Sequence, residues 1–348
     1  MAQHAKNLLL KSFWLLSIYF ISTQATNDYK CIAFPSDAHC LIEHVQYHPG
    51  EQIVLPTGYQ HFRIGVAKCG GDRESNITSL DSTLYEAMHR PASIEMTNVK
   101  LKHINLPVNL THGKFSDNEI NILEIDHHKV YQIIYLDLNR NQFSNVSNVS
   151  ALVNLETLQL QSNGITIIDQ SIFVPLVKLK RLDLSYNAIQ SISWESLTST
   201  LVHLDCFFCS LKSADFSGLN LPALEYLNLE KNDIHVLNVT EILRAAPNLK
   251  EAYLFNRPIL PSNDMTNIVK VLRERDIKYK HIGFDYCFEG EEYVDGRCLG
   301  PLQREGISMS ALIVLISVAV GLLFCLVIYL PTRRKIKRRK DMQTAVDI

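Results

Sequence analysis

Apolar residues in the middle of the chain return on a fixed schedule. The frame L-x-x-L-x-L-x-x-N-x-I is filled by Ile133, Leu136, Leu138, Asn141 and Phe143, then by Leu155, Leu158, Leu160, Asn163 and Ile165. Leu179, Leu182, Leu184, Asn187 and Ile189 fill a third copy. A fourth puts Cys206 and Cys209 into the frame beside Leu201, Leu204 and Leu211, and a fifth runs through Leu224, Leu227, Leu229, Asn232 and Ile234. The steps between copies are 22, 24, 22 and 23 residues. Each L-x-L pair predicts a short strand with alternate side chains turned inward. A unit this small cannot close a core alone, so successive copies must stack and share one interior. The Asn at each strand exit can satisfy backbone groups of neighbouring turns that burial would otherwise leave unpaired.

The frame loosens toward both ends. Leu249, Ala252, Leu254 and Ile259 keep it with Arg257 in the Asn place. Met265–Arg275 then predicts a helix capped by Ser262, with Ile268, Val271 and Leu272 on one stripe. Ile282, Phe284 and Cys287 predict one more strand. Upstream, Ile94, Met96 and Leu101 fit with Val99 in the Asn place, and Ile64, Val66 and Cys69 fit a further copy. Ile120, Leu123, Ile125 and Val130 fit with His128 in the Asn place, but Leu123 lies only 13 residues before Leu136. That is too few for a repeat, so the register between 105 and 132 stays open. The repeat resembles the leucine-rich repeat superfamily over at least residues 120–290. The resemblance implies an α/β solenoid with a curved parallel β-sheet, an irregular or helical convex side and cysteine-closed caps, and it admits Cys as a variant of the Asn, as at Cys209.

Two apolar runs bear on the compartment. Phe13–Ile21 follows Lys6 and Lys11 and precedes Thr23-Gln24-Ala25, the layout of a signal peptide cut near Ala25, with an uncleaved anchor as the alternative. Met309–Leu330 has 22 residues without a charge. As a helix it is ~33 Å long, enough to cross a bilayer. Arg333, Arg334, Lys335, Lys337, Arg338, Arg339 and Lys340 follow at once, and the positive-inside rule assigns them to the cytosol. The expected layout is a type I single-pass plasma-membrane protein with an extracellular ectodomain. It has a signal peptide (1–25), an N-terminal cap with a first irregular repeat (26–75) and a solenoid (76–286). A disulfide cap and stalk (287–308), a transmembrane helix (309–330) and a basic tail (331–348) too short for a signalling domain complete it. Sequons at Asn76, Asn109, Asn145, Asn148 and Asn238 all fall in the part expected outside, as candidate glycosylation sites. Pairing Cys31 with Cys40, and Cys287 with Cys298, would close both open ends of the core, at ~2–4 kcal/mol each. Cys69 is an alternative partner for either N-terminal cysteine.

Net charge is −2, from 34 basic and 36 acidic residues, and seven of the basic ones sit in the tail. The remainder is acidic, which argues against nucleic acid as a partner. The chain has no G-x-S-x-G, no H-E-x-x-H and no Gly-rich phosphate loop. Cys206-Phe-Phe-Cys209 has the spacing of a redox or metal site, but both cysteines fall on inward frame positions and no second pair exists. They are expected as core thiols, free or joined to each other. No enzyme activity, metal or cofactor is expected.

The outward strand positions form a column of Glu95, Glu124, Asp137, Gln159, Asp183, Asp205, Asn228 and Tyr253, five acidic and none basic, which reads as an acidic stripe on the concave face. Tyr186, Phe207, Phe208 and Phe255 follow the strands, and Tyr226 and Tyr253 lie on their outward side. An exposed aromatic patch of this kind marks a contact with a partner. Phe207, Phe208, Tyr226, Tyr253 and Phe255, with Asp137, Asp183 and Asp205, are therefore the candidate ligand-binding residues. The whole layout resembles the transmembrane class of insect leucine-rich immune proteins, although the chain lacks the heptads that secreted members carry after the repeats. The resemblance implies an innate-immune receptor or co-receptor, embedded in the membrane, that binds a protein or microbial surface ligand. Cell-adhesion and developmental proteins share the plan and stand as the alternative.

Overall fold

The computed structural model describes residues 29–32, 39–65, 75–169, 171–254 and 262–279, and the backbone of strands 292–294 and 297–299. Residues 1–280 and 281–348 form two units. In the first, ten strands make one sheet in chain order, every neighbouring pair parallel. They are β1 (His39–Ile42), β2 (His61–Gly65), β3 (Ser93–Thr97), β4 (His112–Lys114), β5 (Tyr135–Asp137), β6 (Thr157–Gln159), β7 (Arg181–Asp183), β8 (His203–Asp205), β9 (Tyr226–Asn228) and β10 (Glu251–Tyr253). Leu136, Leu158, Leu182, Leu204 and Leu227 stand opposite one another on β5 to β9. Each is 0% exposed. The stack of inward leucines that the frame requires is present, and the core runs continuously from Cys40 to Ile277.

The Asn positions form a ladder along this core. Asn141 Nδ2 donates to Phe115 O at 2.9 Å and Leu138 O at 3.0 Å, and its Oδ1 accepts from Ile120 N at 3.0 Å. Asn163 and Asn187 repeat the arrangement one rung further each time, and Asn232 repeats it two rungs beyond Asn187, past Cys209. Every rung thus satisfies carbonyls of two successive turns, which the dry interior could not otherwise hydrate. The turn demands left-handed backbone at the residue just before the ladder. Asp117, Arg140, Ser162, Tyr186, Phe208 and Lys231 all have φ between +52° and +58°.

The ladder settles the register left open between 105 and 132. The rung there is β4, with Leu110, Phe115, Asn118 and Ile120 in frame and Gly113 in a Leu place. Asn118, not His128, is the ladder residue: its Nδ2 donates to Met96 O at 2.8 Å and Phe115 O at 3.1 Å. A Cβ on Gly113 would lie 2.6 Å from Phe115 Cε2, so the buried Phe115 ring takes the room of the missing leucine. Leu123 and Glu124 belong to a different sheet. Ile122–Glu124 pairs with His103–Asn105, which pairs with Ser79–Leu80, on the opposite side of the solenoid. The copy assigned to Ile64 and Val66 is also displaced. Phe62 stands opposite Ile94 and Ile64 opposite Met96, so this rung begins two residues earlier.

The back of the solenoid, expected to be irregular or helical, mixes short strands with 3-10 turns (Ser147–Ala151, Trp194–Ser196) and with α1 (Ser82–Ala87) and α2 (Val239–Ala245). Beyond the last strand, α3 (Ser262–Glu274) begins at Ser262 rather than after it, and buries Ile268 and Leu272. Lys278 bridges in parallel to Glu251, opening a further rung. Ile282, Phe284 and Cys287, expected on that rung, lie outside the described residues.

At the other end, a disulfide joins Cys31 to Cys40, with 4.9 Å between the Cα atoms. Cys40 is the inward residue of β1, and Ile32 pairs antiparallel with Leu41, its N–H donating to Leu41 O at 2.8 Å. The disulfide therefore clips a short segment over the open edge of β1. The stretch expected to hold a cap and one repeat, 26–75, contains two strands of the sheet. Cys69 and the side chains of Cys287 and Cys298 lie outside the described residues. The second unit contributes an antiparallel pair, Glu292–Val294 with Arg297–Leu299. Among the described residues no helix is long and apolar enough to cross a membrane. Segments 1–25 and 309–330 are not among them.

Candidate functional site

Each three-residue strand turns its middle side chain inward and offers its first and third outward. The outward third positions form a column: Arg63, Glu95, Lys114, Asp137, Gln159, Asp183, Asp205, Asn228 and Tyr253. Glu124 is not in it, and two basic residues are. Arg63 lies 2.9 Å and Lys114 3.8 Å from the carboxylate of Glu95, so the acidic stripe expected along the whole face is confined to Asp137, Asp183 and Asp205. The missed signal was the β4 rung, whose leucine place holds a glycine.

These aspartates have a structural task. Asp137 Oδ1 accepts the N–H of Asn139, Asp183 Oδ1 that of Ser185 and Asp205 Oδ1 that of Phe207, all at 2.9 Å. Asn228 does the same for Glu230 at 3.1 Å. Each closes the turn out of its strand by bonding two residues onward. Asp205 also has its second oxygen 3.3 Å from Tyr226 OH and from Asn228 Nδ2, both of which donate to it. Burial, reinforced by the nearby Asp183 carboxylate, raises the Asp205 carboxyl to about 6. Burial also raises Asp137.

The aromatic residues gather into two knots. Tyr186 meets Phe207 at 5.2 Å and Phe208 at 5.8 Å between ring centroids, and Lys231 Nζ sits 5.3 Å from the Phe207 ring. Phe208 is 55% and Tyr186 48% exposed, while Phe207 is half-buried. In the second knot Tyr226 stacks on His203 at 3.9 Å and lies 5.5 Å from Tyr253. Burial and the Arg181 charge hold the His203 imidazole down at about 4. His203 was not a candidate from sequence, because nothing in its spacing distinguishes it from a solvated loop histidine. Phe255 lies outside the described residues.

Cys206 and Cys209 are both buried, free thiols. Cys209 fills the ladder place and donates Sγ–H to Leu184 O at 3.0 Å. A hydrogen bond with Cys209 and complete burial push the Cys206 thiol well above its ordinary range, which leaves it unreactive. Among the described residues no cluster of three or more His, Cys, Asp or Glu side chains is placed to hold a metal. None of the five sequons falls on the ten-stranded sheet. Asn109, Asn145, Asn148 and Asn238 are exposed, and Asn76 is half-buried. On the back, a cavity of about 330 Å³ opens between Ile122, Leu123, Phe143, Asn145 and Asn148.

Comparison with known proteins agrees with this architecture. Residues 153–211 match the leucine rich repeat family model. Receptor-like protein 47 of Arabidopsis thaliana is 34% identical over 107 residues, 30% of this chain and 13% of that protein. Among solved structures, a chain of a TLR13–ssRNA13 complex is 22% identical with a TM-score of 0.48, over 58% of this chain and 29% of that one. A chain of an LRIM1/APL1C complex is 15% identical with a TM-score of 0.43, over 91% of this chain and 79% of that one. The chain spans between 13% and 35% of the lengths of the curated relatives it matches. The family match covers the rungs of β6, β7 and β8.

Proposed function

We propose that this protein is a cell-surface recognition protein that binds a protein or microbial surface ligand through the outward face of β7 to β10, as an innate-immune receptor or co-receptor. The observation that carries the reading is the placement of Tyr186 and Phe208. Both are large, exposed and held in left-handed backbone, where the equivalent turns use Asp117, Arg140, Ser162 and Lys231. The left-handed backbone costs each of these residues alike, roughly 1–2 kcal/mol. What sets Tyr186 and Phe208 apart is a large ring left in solvent with little burial in return, which points to a contact outside the fold. The absence of sequons from the ten strands supports the same face, since glycans attached elsewhere leave it open. In this reading residues 309–330 anchor the protein in the plasma membrane, 1–25 direct its export, and Asn109, Asn145, Asn148 and Asn238 carry the glycans.

Cells displaying the full chain provide the test, probed with bacterial and with host-cell surfaces. The expected result is binding that a Tyr186→Ser/Phe208→Ser variant loses while remaining folded and displayed. Equal binding by that variant sinks the assignment of the face. Binding to host cells alone, with microbes ignored, replaces immune recognition by adhesion.

A further inference from the structure

We propose that the partner presents a basic peptide segment, and that Asp183 and Asp205, with the rings around them, receive one of its lysine or arginine side chains; this rests on the reading of the face given above and names its partner's chemistry. The turns leaving the strands explain why an acceptor stands at 137, 183, 205 and 228. They do not explain a charge, because Asn228 closes its turn with a neutral amide. The aspartates therefore carry charge that the fold has no use for. Asp137, in the same column, also forms no ion pair among the described residues, but it stands apart from those rings, whereas other carboxylates on or beside the strands are answered within the chain. Glu95 pairs with Arg63 at 2.9 Å, Glu156 with Lys180 at 2.8 Å and Glu251 with Lys278 at 3.1 Å. Among the described residues Asp183 and Asp205 form no ion pair. Asp205 Oδ1 accepts the Phe207 N–H and its other oxygen accepts from the Tyr226 hydroxyl and the Asn228 amide, all neutral donors, with Asp183 directly opposite on the adjacent strand.

A half-buried carboxylate without a countercharge is electrostatically unfavourable, and a cation delivered by a partner relieves it. The surrounding rings favour the same kind of guest, because aromatic faces attract ammonium and guanidinium groups. Lys231, seated over Phe207, is an intramolecular case of a cation on this aromatic surface. Lys231 and Arg181 also oppose the approach of a basic segment, so the partner's cation enters on the Asp205 side of the knot, beside Tyr226.

The experiment uses the full-length protein in detergent, with a fluorescein-labelled peptide of alternating arginine and serine and a second of alternating glutamate and serine. The arginine peptide is expected to bind. An Asp183→Asn/Asp205→Asn variant keeps both turn bonds, melts no lower than the parent at neutral pH, and binds about tenfold more weakly, the loss that follows from removing a close charge pair. Lys231→Met is expected to bind more tightly than the parent. Unchanged affinity in the double variant, or equal binding of the glutamate peptide, overturns the basic-partner proposal. The cell-surface assay separates the two readings. If the double Asn variant binds there like the parent while Tyr186→Ser/Phe208→Ser does not, the face is right and the partner's chemistry is wrong. If neither variant loses binding, both fail.

Discussion

His203 and Asp205 lie two residues apart on β8 and are displaced in opposite directions, the imidazole down to about 4 and the carboxyl up to about 6. Burial dominates both, since it penalises whichever form is charged. The consequences for stability have opposite signs. His203 contributes stability that is present above its unfolded value near 6.5 and is lost as pH falls toward 4. Asp205 contributes stability that is present below its unfolded value of 3.8 and is lost as pH rises through 6. Over the window from about 6.5 to 4 the two nearly offset, so the parent conceals both. Thermal melts of His203→Gln and Asp205→Asn across that window should separate them. Relative to the parent, His203→Gln gains stability on acidification and Asp205→Asn loses it; parallel curves for all three would refute the opposed displacements.

At the scale of the element, β4 shows how a rung survives the loss of its central leucine. Gly113 leaves a space, and the Phe115 ring fills it from two residues away, with Leu136 of the next strand 3.3 Å from the place of a Cβ. Gly113→Leu should therefore overfill the core and destabilise by about 1–3 kcal/mol. A second change, Phe115→Leu, restores the ordinary frame and should recover most of the loss, and a double-mutant cycle in urea measures the coupling. Additive single effects would mean that the two side chains do not share the space. The same swap explains why this strand was illegible. The frame looks for leucine at the one place where glycine is allowed because a neighbour intrudes, and the nearby Leu123 offered a false match.

Seen along the molecule, the ladder of amides is continuous from Asn118 to Asn232 except at Cys209. Its thiol reaches Leu184 O but is a poor acceptor, whereas Asn187 and Asn232 each donate to three carbonyls and accept as well. Cys209→Asn should complete the ladder and add about 1 kcal/mol, seen as a higher urea midpoint at unchanged slope. A midpoint at or below that of the parent would show that the thiol contributes packing the amide cannot replace.

The periodic leucines and asparagines by themselves determined that the chain is a stack of parallel rungs around one interior, because a repeat that cannot bury its own apolar face has no other stable use. The same spacing placed Leu158, Leu182 and Leu227 in register and turned Tyr226 and Tyr253 outward, while the structure chose Cys40 over Cys69 as the partner of Cys31. Only the tertiary structure decided which rung occupies 105–132, that Lys114 and Arg63 break the acidic column, and that His203 and Asp205 sit in a shared, poorly hydrated environment. Those features depend on what stands on the adjacent strand, some twenty residues away in sequence and about 4.8 Å away in space, and a periodic frame carries no information about that distance.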